Sequence, residues 1–169
     1  MADRTALVTG GGGAIGSEIA ARLDARGYEV VLAGVTRPRM EQVAARLSRP
    51  AAVVEGDLST LDGIASFCGL VERDYGHLDL LVNNAGFIEP GHVVDLSADE
   101  VERHVMINLL APMQLSRTAA RAMAARGRGD ILSVVSMGAI IALRGSASYS
   151  AAKFGLRGFH TAMQQELAP

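Results

Sequence analysis

The chain has 169 residues, 49% of them apolar and 20% charged, with a formal net charge of −2 at pH 7. This composition is typical of a globular protein rather than a disordered chain, and the scattered arginines indicate no surface for nucleic acid or for an anionic membrane. No basic start precedes an apolar run, and no apolar run approaches the roughly 18 residues that span a bilayer, so we expect one cytoplasmic domain over residues 1–169.

Short runs rich in Val, Leu and Ile alternate with longer segments of helical periodicity. The predicted strands are Thr5–Thr9, Glu29–Gly34, Ala51–Gly56, Leu78–Asn83 and Asp130–Ser136. The predicted helices are Ala14–Arg26, Pro38–Leu47, Thr60–Tyr75, Ala98–Ala125 and Ala147–Leu167. Strands that are apolar almost throughout are typical of a parallel sheet buried on both faces. The repeated order of strand and helix therefore predicts a doubly wound α/β protein, a three-layer α/β/α arrangement of Rossmann type.

Local signals mark some helix ends and the positions of the reactive side chains. Ser97 and Glu100 have the S-x-x-E spacing of a capping box, and Pro38 suits the first turn of a helix. The single cysteine, Cys68, has apolar neighbours and is expected to be a buried helical thiol rather than a nucleophile. The histidines lack the spacing of metal ligands, so we expect no metal and a surface position for each of His77, His92, His104 and His160.

The first predicted strand runs into TGGGGAIG, residues 9–16, directly before a helix. Glycines let the backbone approach a ligand closely, and a helix N-terminus suits a pyrophosphate. Gly11, Gly13 and Gly16 also fit the pattern G-x-G-x-x-G. A purely structural turn is the alternative. After the first strand of an α/β chain, however, the pattern favours a dinucleotide site.

Two further turns follow predicted strands: GDL at residues 56–58 and NNAG at residues 83–86. Ligands of open α/β sheets bind outside the carboxyl ends of the strands, so the three turns are expected to line one crevice. For Asn83 and Asn84 alone, ordinary turn chemistry is the competing interpretation.

Lys153 is the one lysine among 16 basic residues, and it lies four residues after Tyr149 on the same predicted helix face. A phenol that exchanges a proton with a substrate near neutral pH needs a close cation, which at about 4 Å supplies roughly 4 kcal/mol at an effective dielectric constant near 20. Lysine can itself exchange protons, whereas arginine does not deprotonate. Ser136 ends the fifth predicted strand at the same sheet edge. A solvated i, i+4 pair and a strand-end hydroxyl are the alternatives.

The segments TGGGGAIG, NNAG, Ile107-Asn108, Ser136 and YSAAK, in this order, resemble the short-chain dehydrogenase/reductase family over the whole chain. The resemblance implies an oxidoreductase that transfers hydride between a nicotinamide cofactor and a small carbonyl or alcohol substrate, with 3-oxoacyl thioesters as one substrate class. It implies that Tyr149 is the acid/base, that Ser136 holds the substrate oxygen, and that Lys153 binds the nicotinamide ribose and favours ionised tyrosine. Asn108 would order a water in the proton relay.

The resemblance also assigns a cofactor site. Its residues would be Gly10, Gly12, Gly13, Ile15, Gly16, Thr36, Arg37, Asp57, Leu58, Asn84, Ala85, Gly86, Tyr149 and Lys153. The family pattern has glycine where this chain has Ala14, and this difference affects the path of the loop.

The end of the second predicted strand bears on the choice of cofactor. It closes at Gly34 without the carboxylate that would bind a ribose 2′-hydroxyl and repel a 2′-phosphate. Arg37 and Arg39 follow and offer charge-assisted hydrogen bonds, unless both are solvated residues at the start of the next helix. We expect NADP, with NAD as the alternative.

Pro112 lies inside the helix predicted over Ala98–Ala125. Lacking an N–H, it cannot donate to the carbonyl of Asn108, which leaves that oxygen free for a water. A simple kink of the helix is a compatible alternative.

The chain ends at QQELAP, where members of the family continue into a sixth strand, a substrate-covering segment and a seventh strand. We therefore expect a C-terminally incomplete chain. Alternative hypotheses are an inactive truncated form and a non-catalytic nucleotide-binding protein, but a mere binder needs neither Ser136 nor Tyr149. The resemblance further implies a homodimer or homotetramer in which the last two predicted helices pack against a partner subunit.

Overall fold

A computed structural model describes residues 4–167. Its strands are β1 (Arg4–Thr9), β2 (Tyr28–Gly34), β3 (Ala52–Glu55), β4 (Leu80–Asn83) and β5 (Asp130–Ser133). Its α-helices are α1 (Ala14–Ala25), α2 (Arg37–Ala44), α3 (Leu61–Asp74), α4 (Ala98–Val105), α5 (Ala111–Arg126) and α6 (Ala147–Glu166). A π-helical turn, Met106–Leu110, joins α4 to α5, and a 3₁₀ turn, Met137–Ala139, lies between β5 and α6.

The strands form one parallel sheet in the order β3-β2-β1-β4-β5. Side chains of the central strand β1 alternate between two apolar clusters, because successive residues of a strand point to opposite faces. Leu7 packs with residues of α3 and α5, whereas Ala6 and Val8 pack with residues of α1 and α2. The doubly wound α/β architecture predicted from the sequence is confirmed.

The topology places a crevice between β1 and β4. From β1 the chain proceeds outward through β2 to β3 and then returns to β4 on the other side of β1. The connections that leave β1 and β4 therefore run to opposite sides, and the carboxyl ends of these strands border the gap where open α/β sheets bind ligands. No helix within residues 4–167 is long and apolar enough to cross a membrane.

Two predicted elements are wrong in extent. The helix expected over Ala98–Ala125 is interrupted by the π-helical turn, and Pro112 lies at the start of α5, where its missing N–H is tolerated. The fifth strand ends at Ser133 rather than Ser136, because β4, its partner, ends at Asn83 in the paired register. Ser136 instead occupies the N-cap of the 3₁₀ turn.

The remaining elements have the expected type but differ at their ends. The third strand is shorter than Ala51–Gly56, and α2 begins at Arg37 with Pro38 in its first turn and ends at Ala44 rather than Leu47. The capping box is confirmed: Ser97 Oγ accepts from the backbone N–H of Glu100 at 3.2 Å, and Glu100 Oε2 accepts from the N–H of Ser97 at 2.7 Å.

Candidate active site

The turn after β1 is tied directly to the turn after β4. Thr9 Oγ1 accepts from the backbone N–H groups of Asn84 and Ala85, each at 3.0 Å, and Asn84 Nδ2 donates to the carbonyl of Thr9 at 2.9 Å. Gly10 has φ +66°, and a Cβ there would lie 3.0 Å from the Cα of Ala85. A glycine is therefore required at position 10 both by the backbone conformation and by the close approach of the second turn.

A cleft of about 560 Å³ opens beside these two turns. Its lining includes most of the residues predicted for the cofactor site, namely Gly10, Gly12, Gly13, Ile15, Gly16, Thr36, Asn84, Ala85, Gly86, Tyr149 and Lys153. The N-terminus of α1, whose N-cap is Gly13 and whose first turn has no acidic residue, faces this space with unpaired backbone N–H groups. The backbone at this edge of the sheet can thus accommodate a phosphate group.

Three predicted cofactor residues do not line the cleft. Arg37 donates from Nε to Glu55 Oε2 at 2.9 Å, and its Nη1 lies 3.6 Å from Glu41 Oε1. Asp57 Oδ1 accepts from the backbone N–H and the hydroxyl of Ser59, and these hydrogen bonds hold the pKa of Asp57 below its ordinary value. Leu58 is buried in the apolar cluster beneath α3 and α5.

Lys153 is 4% exposed, and its Nζ donates to the carbonyl of Val134 at 3.2 Å. The same Nζ lies 5.8 Å from the centroid of the Tyr149 ring. Burial lowers the pKa of Lys153, because removing the ammonium group from water disfavours its charged form. A buried cation therefore lies beside the phenol, at one end of the cleft.

Asn108 is completely buried in the π-helical turn. Its Oδ1 accepts from the backbone N–H of Phe87 at 3.2 Å, while its Nδ2 donates to the carbonyls of Phe87 at 2.7 Å and His104 at 3.0 Å. A Cβ on Gly86 would lie 3.3 Å from Asn108 Oδ1 and 3.8 Å from Lys153 Nζ. The segment after β4, the π-helical turn and α6 therefore meet around Gly86.

Ser136 is brought to the same region by the 3₁₀ turn. Its Oγ accepts from the backbone N–H of Gly138 at 3.1 Å. A Cβ on Gly138 would lie 3.6 Å from that Oγ and 3.2 Å from Tyr149 Cε1, so Ser136 and Tyr149 lie on either side of a residue without a side chain. The structure thus brings Asn108, Ser136, Tyr149 and Lys153 to one edge of the sheet.

The charge of the cleft is one-sided. Among the described residues that line it, Arg39 and Lys153 are basic and none carries a carboxylate. Glu55, at the end of β3, is engaged by Arg37 and does not face the cleft. Such a lining favours an anionic ligand, because no fixed negative charge opposes it.

Comparison with known proteins identifies the family. The model of the short chain dehydrogenase family matches residues 4–169. This chain belongs to the short-chain dehydrogenase family. It is 33% identical to nodulation protein G of Rhizobium sp. (strain N33) over 168 residues, which are 99% of this chain and 69% of that protein.

Solved structures of short-chain dehydrogenases share the fold. A metagenomic short-chain oxidoreductase in complex with NADP superposes with a TM-score of 0.90 at 34% identity, covering 97% of this chain and 76% of that one. A putative betaketoacyl-ACP reductase superposes with a TM-score of 0.89 at 32% identity, covering 97% of this chain and 67% of that one. A bulky-bulky ketone specific alcohol dehydrogenase from Comamonas testosteroni has a TM-score of 0.90 at 28% identity, covering 97% of this chain and 67% of that one.

The sequence prediction was wrong about one histidine of this short-chain dehydrogenase. His104 was expected at the surface, but it is completely buried between Glu89 and Ser148, to both of which its ring is hydrogen-bonded. The only signal in the sequence was the spacing of His104, one helical turn before Asn108 in α4. This spacing places the two side chains on one face of the helix but does not show which element covers that face.

Cys68 is half-buried in α3, where burial raises the pKa of its thiol.

Proposed function

We propose that this short-chain dehydrogenase is an NADP-dependent oxidoreductase that interconverts a carbonyl and an alcohol. The observation that carries the proposal is that Tyr149 and Lys153 line the same cleft as the glycine-rich turn, so a dinucleotide bound there would end beside an acid/base group. The residues present fit such a cofactor, since the glycine backbone leaves the turn open and the α1 N-terminus suits its pyrophosphate.

In this mechanism the bound nicotinamide supplies or accepts the hydride. In the reductive direction, Ser136 Oγ holds the carbonyl oxygen by a hydrogen bond, and the Tyr149 hydroxyl donates a proton to that oxygen to complete the alcohol. The charge of Lys153 stabilises the phenolate that remains. The Asn108 side chain holds the Phe87 segment against the π-helical turn. Its backbone carbonyl, to which Pro112 cannot donate, would hold the water that returns a proton to Tyr149. In the oxidative direction Tyr149 accepts the proton instead.

The charge of the cleft supports NADP over NAD. No carboxylate at the end of β2 would repel a 2′-phosphate, and Arg39 is the basic residue of the cleft at that end. Because Arg37 is paired with Glu55, we assign the 2′-phosphate to Arg39 and the Thr36 hydroxyl, and Arg37 would take part only on leaving Glu55. NAD is the alternative cofactor.

We further propose that residues 1–169 form one dinucleotide-binding domain of a cytoplasmic homo-oligomer. The substrate is a small carbonyl compound or alcohol. The 3-oxoacyl thioesters are one candidate class, since the chain superposes on a putative betaketoacyl-ACP reductase.

The test is Tyr149→Phe in the full chain, assayed with a panel of ketones and 3-oxoacyl thioesters by the absorbance of the reduced nicotinamide. We expect turnover to fall to no more than a few percent of the parent while NADPH affinity stays within a factor of about two, because only the proton-transfer group is lost. Tyr28→Phe, on β2, is the matched control and keeps full activity. A Tyr149→Phe variant with turnover close to the parent would overturn the assignment.

A further inference from the structure

His104 is hydrogen-bonded to three segments that border the candidate site. Its Nε2 accepts from the backbone N–H of Glu89, in the segment after β4, at 2.9 Å. Its Nδ1 lies 3.0 Å from the hydroxyl of Ser148, the residue before Tyr149 in α6. Its own carbonyl accepts from Asn108 Nδ2 at 3.0 Å. One buried ring therefore links the segment after β4, the π-helical turn and the start of α6.

These partners determine which nitrogen of the ring carries the proton. A backbone N–H can only donate, so the Nε2 that faces Glu89 must present a lone pair. The neutral ring then carries its proton on Nδ1 and donates it to Ser148 Oγ. A second proton on Nε2 would put two donors face to face in a completely buried position and would break the contact with Glu89.

The charged groups around His104 have opposing effects on the pKa of its ring, and burial has the largest effect. Glu100 and Glu89 favour a charged ring, whereas Arg103 disfavours it. From α6, the Tyr149 ring lies edge-on to His104, and Lys153 lies against that tyrosine ring. Burial is the largest influence and lowers the pKa of His104 below its ordinary value. The neutral ring is therefore the form present near neutral pH.

The aromatic contacts point to the same group of residues. The His104 ring lies 5.0 Å from the Phe87 ring and 6.4 Å from the Tyr149 ring, edge-on to the latter. Displacement of His104 would thus remove a ring contact of Phe87, the loop residue that Asn108 holds, and a ring contact of the proposed acid/base Tyr149.

We propose that neutral His104 is a positioning residue for Asn108 and Tyr149, and that its protonation loosens the start of α6 and sets the acid limit of catalysis. The catalytic part of this inference rests on the proposed function. The structural part, which is a coupling between the charge of His104 and the position of Tyr149, does not depend on activity.

The structural part is tested by NMR on the full chain labelled with ¹⁵N-histidine and ring-labelled tyrosine. His104→Gln assigns the resonance by its absence. We expect a neutral ring with the proton on Nδ1 at pH 7, and Tyr149 ring signals that shift with the same midpoint as His104 on acidification. In His104→Gln that tyrosine shift disappears. The proposal is overturned by a proton on Nε2 or by a charged ring at pH 7. It is also overturned if the Tyr149 signals do not shift as His104 is protonated.

The catalytic part is tested by the pH profile of kcat in carbonyl reduction, the direction in which Tyr149 acts as the acid. We expect an acid limb in the parent that is lost in His104→Gln, because the glutamine oxygen can accept from Glu89 without titrating. His104→Phe removes both hydrogen bonds and lowers kcat about tenfold or more, with the KM for cofactor little changed. His77→Gln, at an exposed position before β4, is the matched control and keeps the acid limb.

The outcomes separate the two proposals. An inactive parent chain whose NMR coupling is present contradicts the proposed function but not the structural role of His104. An active parent whose acid limb persists in His104→Gln, or a folded His104→Phe variant with the parent's kcat, overturns the role of His104 and leaves the proposed function intact.

Discussion

Lys153 illustrates, at the scale of one residue, how a group that we propose for catalysis opposes stability. Its ammonium group is almost fully buried, with the Val134 carbonyl as its hydrogen-bond acceptor. A charge in this setting lowers the free energy of unfolding, because the loss of water around it is only partly offset. A chain that otherwise uses arginine retains a lysine at the position where a compact cation meets the phenol.

We predict that Lys153→Met raises the free energy of unfolding by about 1 kcal/mol at pH 7. Because the folded lysine has a lowered pKa, the unfolded chain binds more protons between that pKa and about 10.4, and the parent gains stability as pH rises through this window. The advantage of the variant should therefore shrink at alkaline pH. Urea unfolding at several pH values measures this difference, with Arg46→Met, at an exposed position after α2, as control. A variant less stable than the parent at pH 7 would show that the lysine is well compensated.

Arg39 and Arg37 form a matched pair of residues for the choice of cofactor. They lie two positions apart in α2, but only Arg39 lines the cleft, while Arg37 is bound to Glu55. We predict that Arg39→Ala weakens NADP binding about tenfold and NAD binding little, since a charge-assisted hydrogen bond to the 2′-phosphate is lost. Calorimetric titration at constant ionic strength checks this, and Arg37→Ala should have the smaller effect. Tighter binding of NAD than of NADP to the parent would contradict the assignment.

At the scale of the element, α4 has only eight residues but precedes the turn that holds Asn108. So short a helix is not stable alone, and its start is fixed by the reciprocal hydrogen bonds of Ser97 and Glu100. The π-helical turn that follows adds a residue to the helical path and turns the Asn108 side chain toward Phe87. The geometry of the candidate site therefore depends on both ends of α4.

We predict that Ser97→Ala lowers the free energy of unfolding by about 1 kcal/mol, because the N–H of Glu100 loses its acceptor. The matched control is Thr36→Ala at the N-cap of α2, where the hydroxyl makes no capping hydrogen bond, and this change should have little effect on the stability of the cofactor-free protein. Urea denaturation of both variants measures the difference. Equal effects of the two substitutions would mean that the capping box adds nothing to stability.

At the scale of the whole molecule, α5 and α6 border an apolar groove of about 400 Å³. Its lining includes Met113, Ala120, Ala124 and Phe159, and small residues on both helices allow another helix to approach closely. An open apolar groove of this kind is consistent with the homo-oligomer we propose.

We predict that the chain is a dimer or tetramer and that Ala124→Arg reduces its mass in light scattering, because a charged side chain would be forced into the interface. Ala21→Arg, at an exposed position of α1, is the matched control and leaves the mass unchanged. A monomeric parent over a wide concentration range would contradict the prediction. An oligomer whose mass is unchanged by Ala124→Arg would show that the interface does not lie at this groove.

Features encoded by nearby residues were determined by the sequence alone. The apolar strands, the glycine-rich turn before α1 and the S-x-x-E start of α4 each depend on contacts within a few positions, and the structure has all three. The motifs also identified the edge of the sheet at which Tyr149 and Lys153 lie, because the carboxyl ends of parallel strands share one side.

Features that depend on distant partners were decided only by the tertiary structure. Burial of His104 requires Ser148, 44 positions away, and removal of Arg37 from the cleft requires Glu55, 18 positions away. Strand β5 ends early because its partner β4 is short. The π-helical turn that interrupts the long predicted helix occurs where the Asn108 side chain is hydrogen-bonded to the backbone of Phe87. A sequence pattern fixes which face of an element a side chain occupies, but the packing of separate elements fixes which partner it meets there and whether water reaches it.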